Sequence, residues 1–255
     1  MYGDYSHYCE ILGVEPSANL TQIKSAFRKK AKLHHPDTAS GENEKAEFNK
    51  ILDAYRNLVK IFSQRVFDSP LFNDLRKNEE SFDYRKWLCE QDDDRSMAKL
   101  VIFDLFNERI EDSCKEYTEH SRGHRNFSLK NYFPREDFMD YGFVLAEELY
   151  FREHYYDAFL ILADIIRLEN EKPYFRYFFS EVISITRKIL RSKLEESGNY
   201  ELALDAWEDA LDLAFPPEDD IFFLTKISEA YYNMGDFYKA QACKNEITRL
   251  LGGKL

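Results

Sequence analysis

The sequence predicts an all-α protein. Glycine and proline, which most often interrupt helices, number only nine and seven in a chain of 255 residues. Leucine, glutamate, lysine, alanine and aromatic residues recur at helical spacing along nearly the whole chain. With 44% apolar and 16% aromatic residues, the chain also carries enough apolar surface to form a core. Helices packed on helices are therefore the expected architecture.

Charge and cysteine usage limit the classes of function. The formal net charge of -12 disfavours general binding to nucleic acid or to anionic membranes, because both repel an acidic surface. The four cysteines are scattered, which predicts neither a zinc ribbon nor a disulfide framework and favours a reducing compartment. No apolar run reaches membrane-spanning length, and the N-terminus lacks the pattern of a signal peptide. We expect a cytoplasmic protein that binds neither nucleic acid nor membrane.

Three segments of the chain differ in character. Residues 1–68 have the turns and apolar spacing of a small independent domain. Residues 69–138 are more charged and include polar stretches typical of connections between helices. Residues 139–255 have the pattern of consecutive amphipathic helices with an internal repeat. We predict one domain at each end and a charged helical region between them.

The first segment is predicted to begin with a short helix and a capped second helix. The apolar run YCEIL precedes Gly13, the residue type that most readily adopts the left-handed conformation closing a helix. Asn19, followed three residues later by Gln22, has the pattern of a capping box. A second helix should therefore begin at about residue 20 and run to about residue 34.

The second helix has an apolar side and a basic side. At the helical period of about 3.6 residues, one side is formed by Leu20, Ile23, Phe27, Ala31 and His34. Lys24, Arg28 and Lys32 form a row at i, i+4 and i+8 beside it, and Lys29 extends the charged face. In an acidic protein, such a row is a local contrast that favours binding to an acidic partner.

A loop and a third helix complete the pattern. Pro36 ends the second helix, because proline disfavours helical geometry in the preceding residue and has no amide proton to donate. His35 and Asp37 therefore lie in a loop at a helix end. The third helix is indicated by the apolar spacing of Phe48, Ile51, Tyr55 and Leu58. We expect the second and third helices to pair antiparallel, with the loop at the tip.

These elements together resemble the J domain of DnaJ-like co-chaperones over residues 6–68. The matching residues are the opening YCEILGV, the segment Ile23 to Arg28, the tripeptide His35-Pro36-Asp37, and Phe48, Ile51, Ala54 and Tyr55. A tripeptide alone recurs by chance, but its place between two such helices is specific. The resemblance implies an antiparallel helical hairpin with short flanking helices.

The resemblance also implies a function. J domains dock on the ATP-bound state of a DnaK-type chaperone and stimulate its ATP hydrolysis, which traps a client polypeptide. Carried over by position, the docking face consists of Lys24, Phe27, Arg28, Lys29 and Lys32. The loop of His35, Pro36 and Asp37 would couple docking to hydrolysis. Because the chemistry stays in the partner, the expected protein is not an enzyme and needs no cofactor.

Three departures from the family pattern keep a second hypothesis open. Lys30 stands where the family usually carries leucine, and its stem can lie along the core while its ammonium reaches water. His34 replaces the usual tyrosine, and the fourth helix is shortened to about residues 63–68. The alternative is a helical scaffold whose J domain is degenerate and stimulates nothing.

A metal-dependent hydrolase built on His34, His35 and Asp37 is the remaining alternative. A metal needs three or four ligands, and a general base needs an orienting group and a cleft. The other histidines, His7, His120, His124 and His154, show no HExxH or similar spacing. We therefore expect neither a metal nor a catalytic site.

Residues 139–255 contain three helix–turn–helix segments with a common pattern. Each has a small residue in its second helix, namely Ala158, Ala203 and Ala240. The pattern resembles the tetratricopeptide repeat of about 34 residues, although the alanines lie 45 and then 37 residues apart. A degenerate earlier unit around residues 100–117 would place Ser113 at the alanine position. Stacked hairpins generally form a groove that binds proteins, so we expect a client or partner there; the alternative is a bundle covering its own apolar faces.

Overall fold

The computed structural model describes residues 2–33, 83–124, 126–175 and 178–252, and also residues 47, 50, 51, 53–55, 57–59, 61 and 62. The regular elements in these residues are helices and none is a strand, which confirms the all-α prediction. No helix in these ranges is long and apolar enough to cross a membrane. The chain divides into two compact units, residues 1–132 and 133–255. The boundaries predicted after residues 68 and 138 stay predictions.

Helix α1 (Tyr2–Leu12) ends as the sequence predicts. Gly13 has a φ of 70°, in the left-handed region where other residues are strained. Its N–H donates to the carbonyl of Glu10 at 3.1 Å, and the N–H of Val14 donates to the carbonyl of Cys9 at 2.9 Å. These two bonds form a Schellman motif, which satisfies carbonyls that the helix leaves without partners.

Helix α2 (Leu20–Leu33) begins with the predicted capping box. The Asn19 Oδ1 accepts from the N–H of Gln22 at 3.0 Å, and the Gln22 Oε1 accepts from the N–H of Asn19 at 3.0 Å. Leu20 and Ile23 are buried, which orients the apolar side of the helix toward the core. The start and the facing of α2 are therefore confirmed.

The described residues between 47 and 62 are all helical, and we call this segment α3. Helices α1, α2 and α3 share one core, whose buried members are Cys9, Leu12, Ile23, Ile51, Ala54 and Leu58. The predicted apolar stripe of the third helix is confirmed at Ile51 and Leu58, while Phe48 lies outside the described residues.

Three further helices belong to the same unit: α4 (Tyr84–Cys89), α5 (Asp94–Phe106) and α6 (Ile110–Gly123). Asp83 and Asp93 cap α4 and α5 by accepting backbone N–H bonds at 3.0 and 2.9 Å. Helices α5 and α6 form a hairpin where the sequence suggests a degenerate repeat, and Ser113 is fully buried in it.

A part-buried ion-pair cluster joins α4 to α5 and α6. The guanidinium of Arg85 donates to the fully buried Asp104 at 2.7 to 2.9 Å, and to Glu116 Oε1 at 3.1 Å. The Glu116 Oε2 is buried without a hydrogen-bond partner in the described part of the chain. Burial, together with repulsion from Asp104, raises the pKa of Glu116 to about 7.

The second unit consists of helical hairpins in sequence. Its helices are α7 (Arg135–Phe151), α8 (Tyr155–Glu171), α9 (Phe179–Lys188), α10 (Tyr200–Ala210), α11 (Pro217–Asn233) and α12 (Phe237–Gly252). Helix α9 continues through a π-helical segment, Ile189–Lys193, and a last α-helical turn, Leu194–Glu196. The pairs α7–α8, α9–α10 and α11–α12 are each joined by a short turn, and α10 also packs on α8 and α11.

Four helical hairpins among the described residues share one kind of turn. The middle turn residue has a φ between 60° and 83° and is Glu108, Glu153, Gly198 or Gly235. Five residues later comes a small residue that is at most 2% exposed, namely Ser113, Ala158, Ala203 or Ala240. A larger side chain there would force the two helices apart. The expected helix–turn–helix units are thus present, while their likeness to tetratricopeptide repeats stays a prediction.

Hydroxyl groups fasten two of these hairpins across the same pair of positions. The Ser113 Oγ in α6 donates to the carbonyl of Val101 in α5 at 2.7 Å. The Ser228 Oγ in α11 donates to the carbonyl of Ala240 in α12 at 3.0 Å. Both bonds join residues twelve positions apart, one in each helix of the hairpin. The helices therefore approach closely enough for a side chain to reach the facing backbone.

The irregular helix that includes α9 is held by buried polar contacts. A π-helical segment leaves some backbone groups without the hydrogen bonds of an α-helix. The carbonyl of Leu190, in this segment, accepts a hydrogen bond from the indole Nε1 of Trp207 at 2.8 Å. On another side, the buried carboxylate of Asp219 accepts from Arg187 at 2.7 Å and from Arg191 at 2.8 Å. These contacts join α9 and its continuation to α10 and α11.

The cluster at Arg85 predicts a pH dependence of stability. Because the folded pKa of Glu116 lies above its ordinary value of 4.5, the folded state holds this proton more tightly, and stability falls as pH rises from about 4.5 through about 7. The substitution Glu116→Gln mimics the protonated group. We expect it to raise the free energy of unfolding at pH 8 by on the order of 2 kcal/mol, measured by urea denaturation.

At pH 4.5 the same substitution should have little effect. Glu119→Gln, which removes an exposed carboxylate from the same helix, is the matched control. Equal stabilisation by both variants at pH 8 would show that overall charge, and not the environment of Glu116, is responsible.

Candidate docking surface

The residues predicted to dock a partner fall into two groups. Lys24, Phe27 and Lys29 lie on α2 and are described, and the backbone of Arg28 and Lys32 belongs to the same helix. The side chains of Arg28 and Lys32 lie outside the described residues, as does the whole loop of His35, Pro36 and Asp37. The structure therefore tests the scaffold of the surface and leaves the loop a prediction.

The described basic side chains lie beside the buried face of α2. Lys29 is exposed and Lys24 is half-buried, whereas Ser25, one position after Lys24, is buried. Residues 24, 28 and 32 are spaced at i, i+4 and i+8 along a continuous helix, so their positions share one side of its backbone. The helix thus holds the predicted basic row in a fixed register against the core of α1, α2 and α3.

Phe27 lies at the edge of this core. Its ring stacks on Tyr55 of α3, with centroids 4.2 Å apart and an angle of 15° between the planes. Both rings are half-buried, so this contact joins α2 to α3. Phe27 therefore has a structural contact in the isolated chain, and its part in docking stays a prediction.

Lys30 has a specific role that the sequence did not indicate. Its ammonium donates to the carbonyl of Ile11 at 2.5 Å, in the last turn of α1. The Schellman bonds at Gly13 use the carbonyls of Cys9 and Glu10, and Lys30 supplies a donor to the next one. A cation at a helix C-terminus also complements the helix dipole. The expected exposure of the ammonium is thus wrong: the group is part-buried and ties α2 to α1.

A second polar group lies later in the sequence of the first unit, in α5 and at the end of α6. The structure brings Asp94, His120 and His124 together, with His120 Nε2 at 2.7 Å from Asp94 Oδ1. The sequence around these histidines matches no known metal-binding motif, so it does not predict this cluster. Their spacing of four residues, which places two side chains on one side of a helix, was the available signal.

Comparison with known proteins gives a match for the first domain. Residues 7–68 match the model of the DnaJ domain family. The match covers α1 from residue 7, all of α2 and α3, and the segment between them that is predicted to be a loop. The J-domain resemblance of the first segment is confirmed by this match.

Curated relatives align with the same part of the chain. A chaperone protein DnaJ of Deinococcus proteolyticus is 43% identical over 65 residues, which are 25% of this chain and 21% of that protein. The DnaJ homolog subfamily B member 9 of Mus musculus is 40% identical over 62 residues, 24% of this chain and 28% of that protein. A curved DNA-binding protein of Coxiella burnetii is 33% identical over 66 residues, 26% of this chain and 21% of that protein.

These alignments span a small share of each relative. The chain covers between 21% and 28% of the three relatives, so their whole-protein activities are not transferred by the match. No solved structure matches the chain significantly. The comparisons therefore support a J domain and leave the function of the whole chain to be proposed.

The contact of Lys30 with α1 generates a stability prediction. The variant Lys30→Met keeps most of the apolar stem but removes the donor to Ile11. We expect the J-domain segment to lose about 1 kcal/mol, because a charged hydrogen bond at a helix end disappears. Hydrogen exchange of the amides of Gly13 and Val14 should then be about fivefold faster.

Lys29→Met is the matched control, since Lys29 is exposed and adjacent in sequence. If both variants exchange equally fast at the end of α1, the ammonium of Lys30 does not stabilise it.

Proposed function

We propose that this chain is a J-domain co-chaperone. Its first 68 residues bind a DnaK-type chaperone and stimulate ATP hydrolysis by that chaperone. The observation that carries the proposal is the framework of α1, α2 and α3, in a segment that matches the DnaJ domain family and places the basic positions of α2 immediately before His35-Pro36-Asp37. The proposed setting is the cytoplasm.

The proposed mechanism separates encounter from activation. Lys24, Arg28, Lys29 and Lys32 contribute positive charge in a chain whose net charge is -12, so an acidic partner surface is attracted to this helix specifically. Docking then presents the loop of His35, Pro36 and Asp37 to the chaperone. The proposed mechanism needs no general base or metal ligand from this loop, because the bond broken is in ATP held by the partner. The chain acts by stabilising the hydrolysing conformation of the chaperone.

The proposed role of the second unit is to bind a client or partner protein. Its consecutive hairpins give the chain a surface for a client or partner protein that is separate from α2 in sequence. Linking such a surface to a J domain raises the effective concentration of the client near the chaperone.

The alternative of a degenerate J domain is weakened by one contact. Lys30 counted toward degeneracy because it interrupts an apolar pattern, yet it pairs with α1 without disturbing the buried residues of the core. His34, which stands where the family usually carries tyrosine, lies outside the described residues. The alternative that rests on it is therefore left to the hydrolysis assay.

Single-turnover ATP hydrolysis by a DnaK-type chaperone tests the proposal. We expect the full chain to accelerate hydrolysis at least tenfold, and His35→Gln and Asp37→Asn to lose that acceleration with unchanged circular dichroism. Each variant changes one polar group of the predicted loop and leaves the basic residues of α2 unchanged. Absence of acceleration by the unmodified chain, across chaperones from the source cell, favours the scaffold alternative.

The basic face of α2 makes a separate prediction. The triple variant Lys24→Ala, Arg28→Ala, Lys32→Ala should need about tenfold more protein for half-maximal stimulation, because steering and docking charges are lost. Raising the salt concentration should reduce the stimulation of ATP hydrolysis by the unmodified chain more than the stimulation by the variant. Lys50→Ala, which removes a 64% exposed lysine side chain from α3, is the control and should change neither.

A further inference from the structure

We propose that Asp94, His120 and His124 form a binding site for a divalent transition-metal ion of the zinc class. The ligand atoms are Asp94 Oδ1, His120 Nε2 and His124 Nδ1, which lie close together at one end of the α5–α6 hairpin. This site is distinct from the tripeptide loop and does not depend on the proposed co-chaperone function. It revises the expectation, drawn from sequence, that the chain holds no metal.

Helix geometry brings the ligands together. Asp94 is the first residue of α5, immediately after the N-cap Asp93. His120 lies in the last turn of α6, and His124 follows that helix by one residue. His124 is the C-cap residue of α6, four positions after His120, and the centroids of the two rings lie 4.1 Å apart. Because the hairpin turns between α5 and α6, the start of one helix meets the end of the other.

The distances suit a small ion. His120 Nε2 lies 2.7 Å from Asp94 Oδ1 and 2.9 Å from His124 Nδ1, and His124 Nδ1 lies 3.6 Å from Asp94 Oδ1. Ligand atoms of a tetrahedral zinc at about 2.0 to 2.1 Å are separated by roughly 3.3 Å. His124 Nδ1 is also 3.2 Å from His120 Nδ1, so it lies close to both nitrogens of the neighbouring ring. Two of the three separations, 2.7 and 2.9 Å, are shorter than the zinc-ligand spacing and the third, 3.6 Å, is longer, so small movements of the side chains would bring the three atoms to the spacing of a coordination sphere.

Ordinary tautomers of the two rings satisfy these contacts when no ion is bound. His120 Nε2 can donate its proton to Asp94 Oδ1, and His124 Nδ1 can donate its proton to His120 Nδ1. An ion at the site would replace these two protons. A cation among the three atoms would interact favourably with all of them at once. Imidazole and carboxylate ligands favour zinc-class ions over calcium or magnesium, which prefer oxygen.

Neighbouring aromatic residues hold two of the ligands in place. The Tyr132 hydroxyl donates to Asp94 Oδ2 at 3.1 Å, which leaves Oδ1 directed to the histidines. The ring of Phe127 meets the ring of His120 edge-on, with centroids 4.6 Å apart. Such supporting contacts fix the orientation of metal ligands and raise affinity.

The site is open on one side. The side chain of His120 is 13% exposed, whereas those of Asp94 and His124 are 38% and 54% exposed. An ion can therefore enter from solvent without unfolding of the hairpin. Three protein ligands also leave a fourth position for water or for a group from a binding partner.

Metal titration of the full chain tests the proposal. Protein freed of metal with a chelator is titrated with Zn²⁺ against a chromophoric competitor, and with Co²⁺ to record the absorption bands of a tetrahedral site. We expect one ion per chain and a rise in the unfolding temperature with Zn²⁺. His120→Gln and His124→Gln should each weaken Zn²⁺ binding at least tenfold. Tyr132→Phe keeps all three ligands and should weaken it by a smaller factor, which covers the case in which a histidine variant folds poorly.

Matched variants separate this site from other groups that attract zinc. His7→Gln, Cys89→Ser and the double variant His34→Gln, His35→Gln remove an exposed histidine, an exposed thiol and the tripeptide-loop histidines. Each should bind Zn²⁺ as the unmodified chain does. Binding that survives in the double variant His120→Gln, His124→Gln, or that disappears in the loop variant, overturns the proposal. Absence of Zn²⁺ binding by the unmodified chain also overturns it, whatever the result of the ATP hydrolysis assay.

Discussion

Close approach of paired helices is the constraint on which the rest of the structure depends. In four of the described hairpins the chain reverses through a turn with one residue of positive φ, and five residues later the second helix has a fully buried serine or alanine against the first. The small residue lets the backbones approach, and the turn fixes the rotation of one helix about the other. The larger apolar side chains then fill the space on either side of this contact. The place where the two helices cross therefore determines which side chains form the core.

In the J-domain segment, contacts at the ends of the helices hold them together. Its first helix is short, and a short helix gains little stability alone. The chain compensates at the ends: Gly13 closes α1 through backbone bonds, Lys30 reaches from α2 to the carbonyl of Ile11, and Asn19 with Gln22 caps α2. The stacking of Phe27 on Tyr55 then joins α3. Positioning of the basic row on α2 is therefore a result of capping as much as of apolar burial.

Local signals were predictable from sequence, and long-range polar contacts were not. The helical class, the end of α1 at Gly13 and the capping box depend on residues within a few positions of each other, where composition and spacing carry the information. Lys30 and Ile11 are 19 positions apart, as are Arg85 and Asp104, and no periodicity relates them. Glu108 and Glu153 adopt a left-handed conformation usually taken by glycine, because helix packing overrides local preference there. The meeting of Asp94 with His120 likewise depends on the reversal of the chain between them.

The hydroxyl bonds inside the hairpins have a consequence for how such a repeat can change. In one hairpin the serine lies in the second helix and the acceptor carbonyl in the first; in another the serine lies in the first helix and the carbonyl in the second. The same two positions are joined each time, with the donor exchanged. Because the acceptor is a backbone carbonyl, which every residue carries, one serine at either position is enough to join the two helices. Either helix can therefore supply the hydroxyl, and the facing residue is free to vary among those small enough for the close approach.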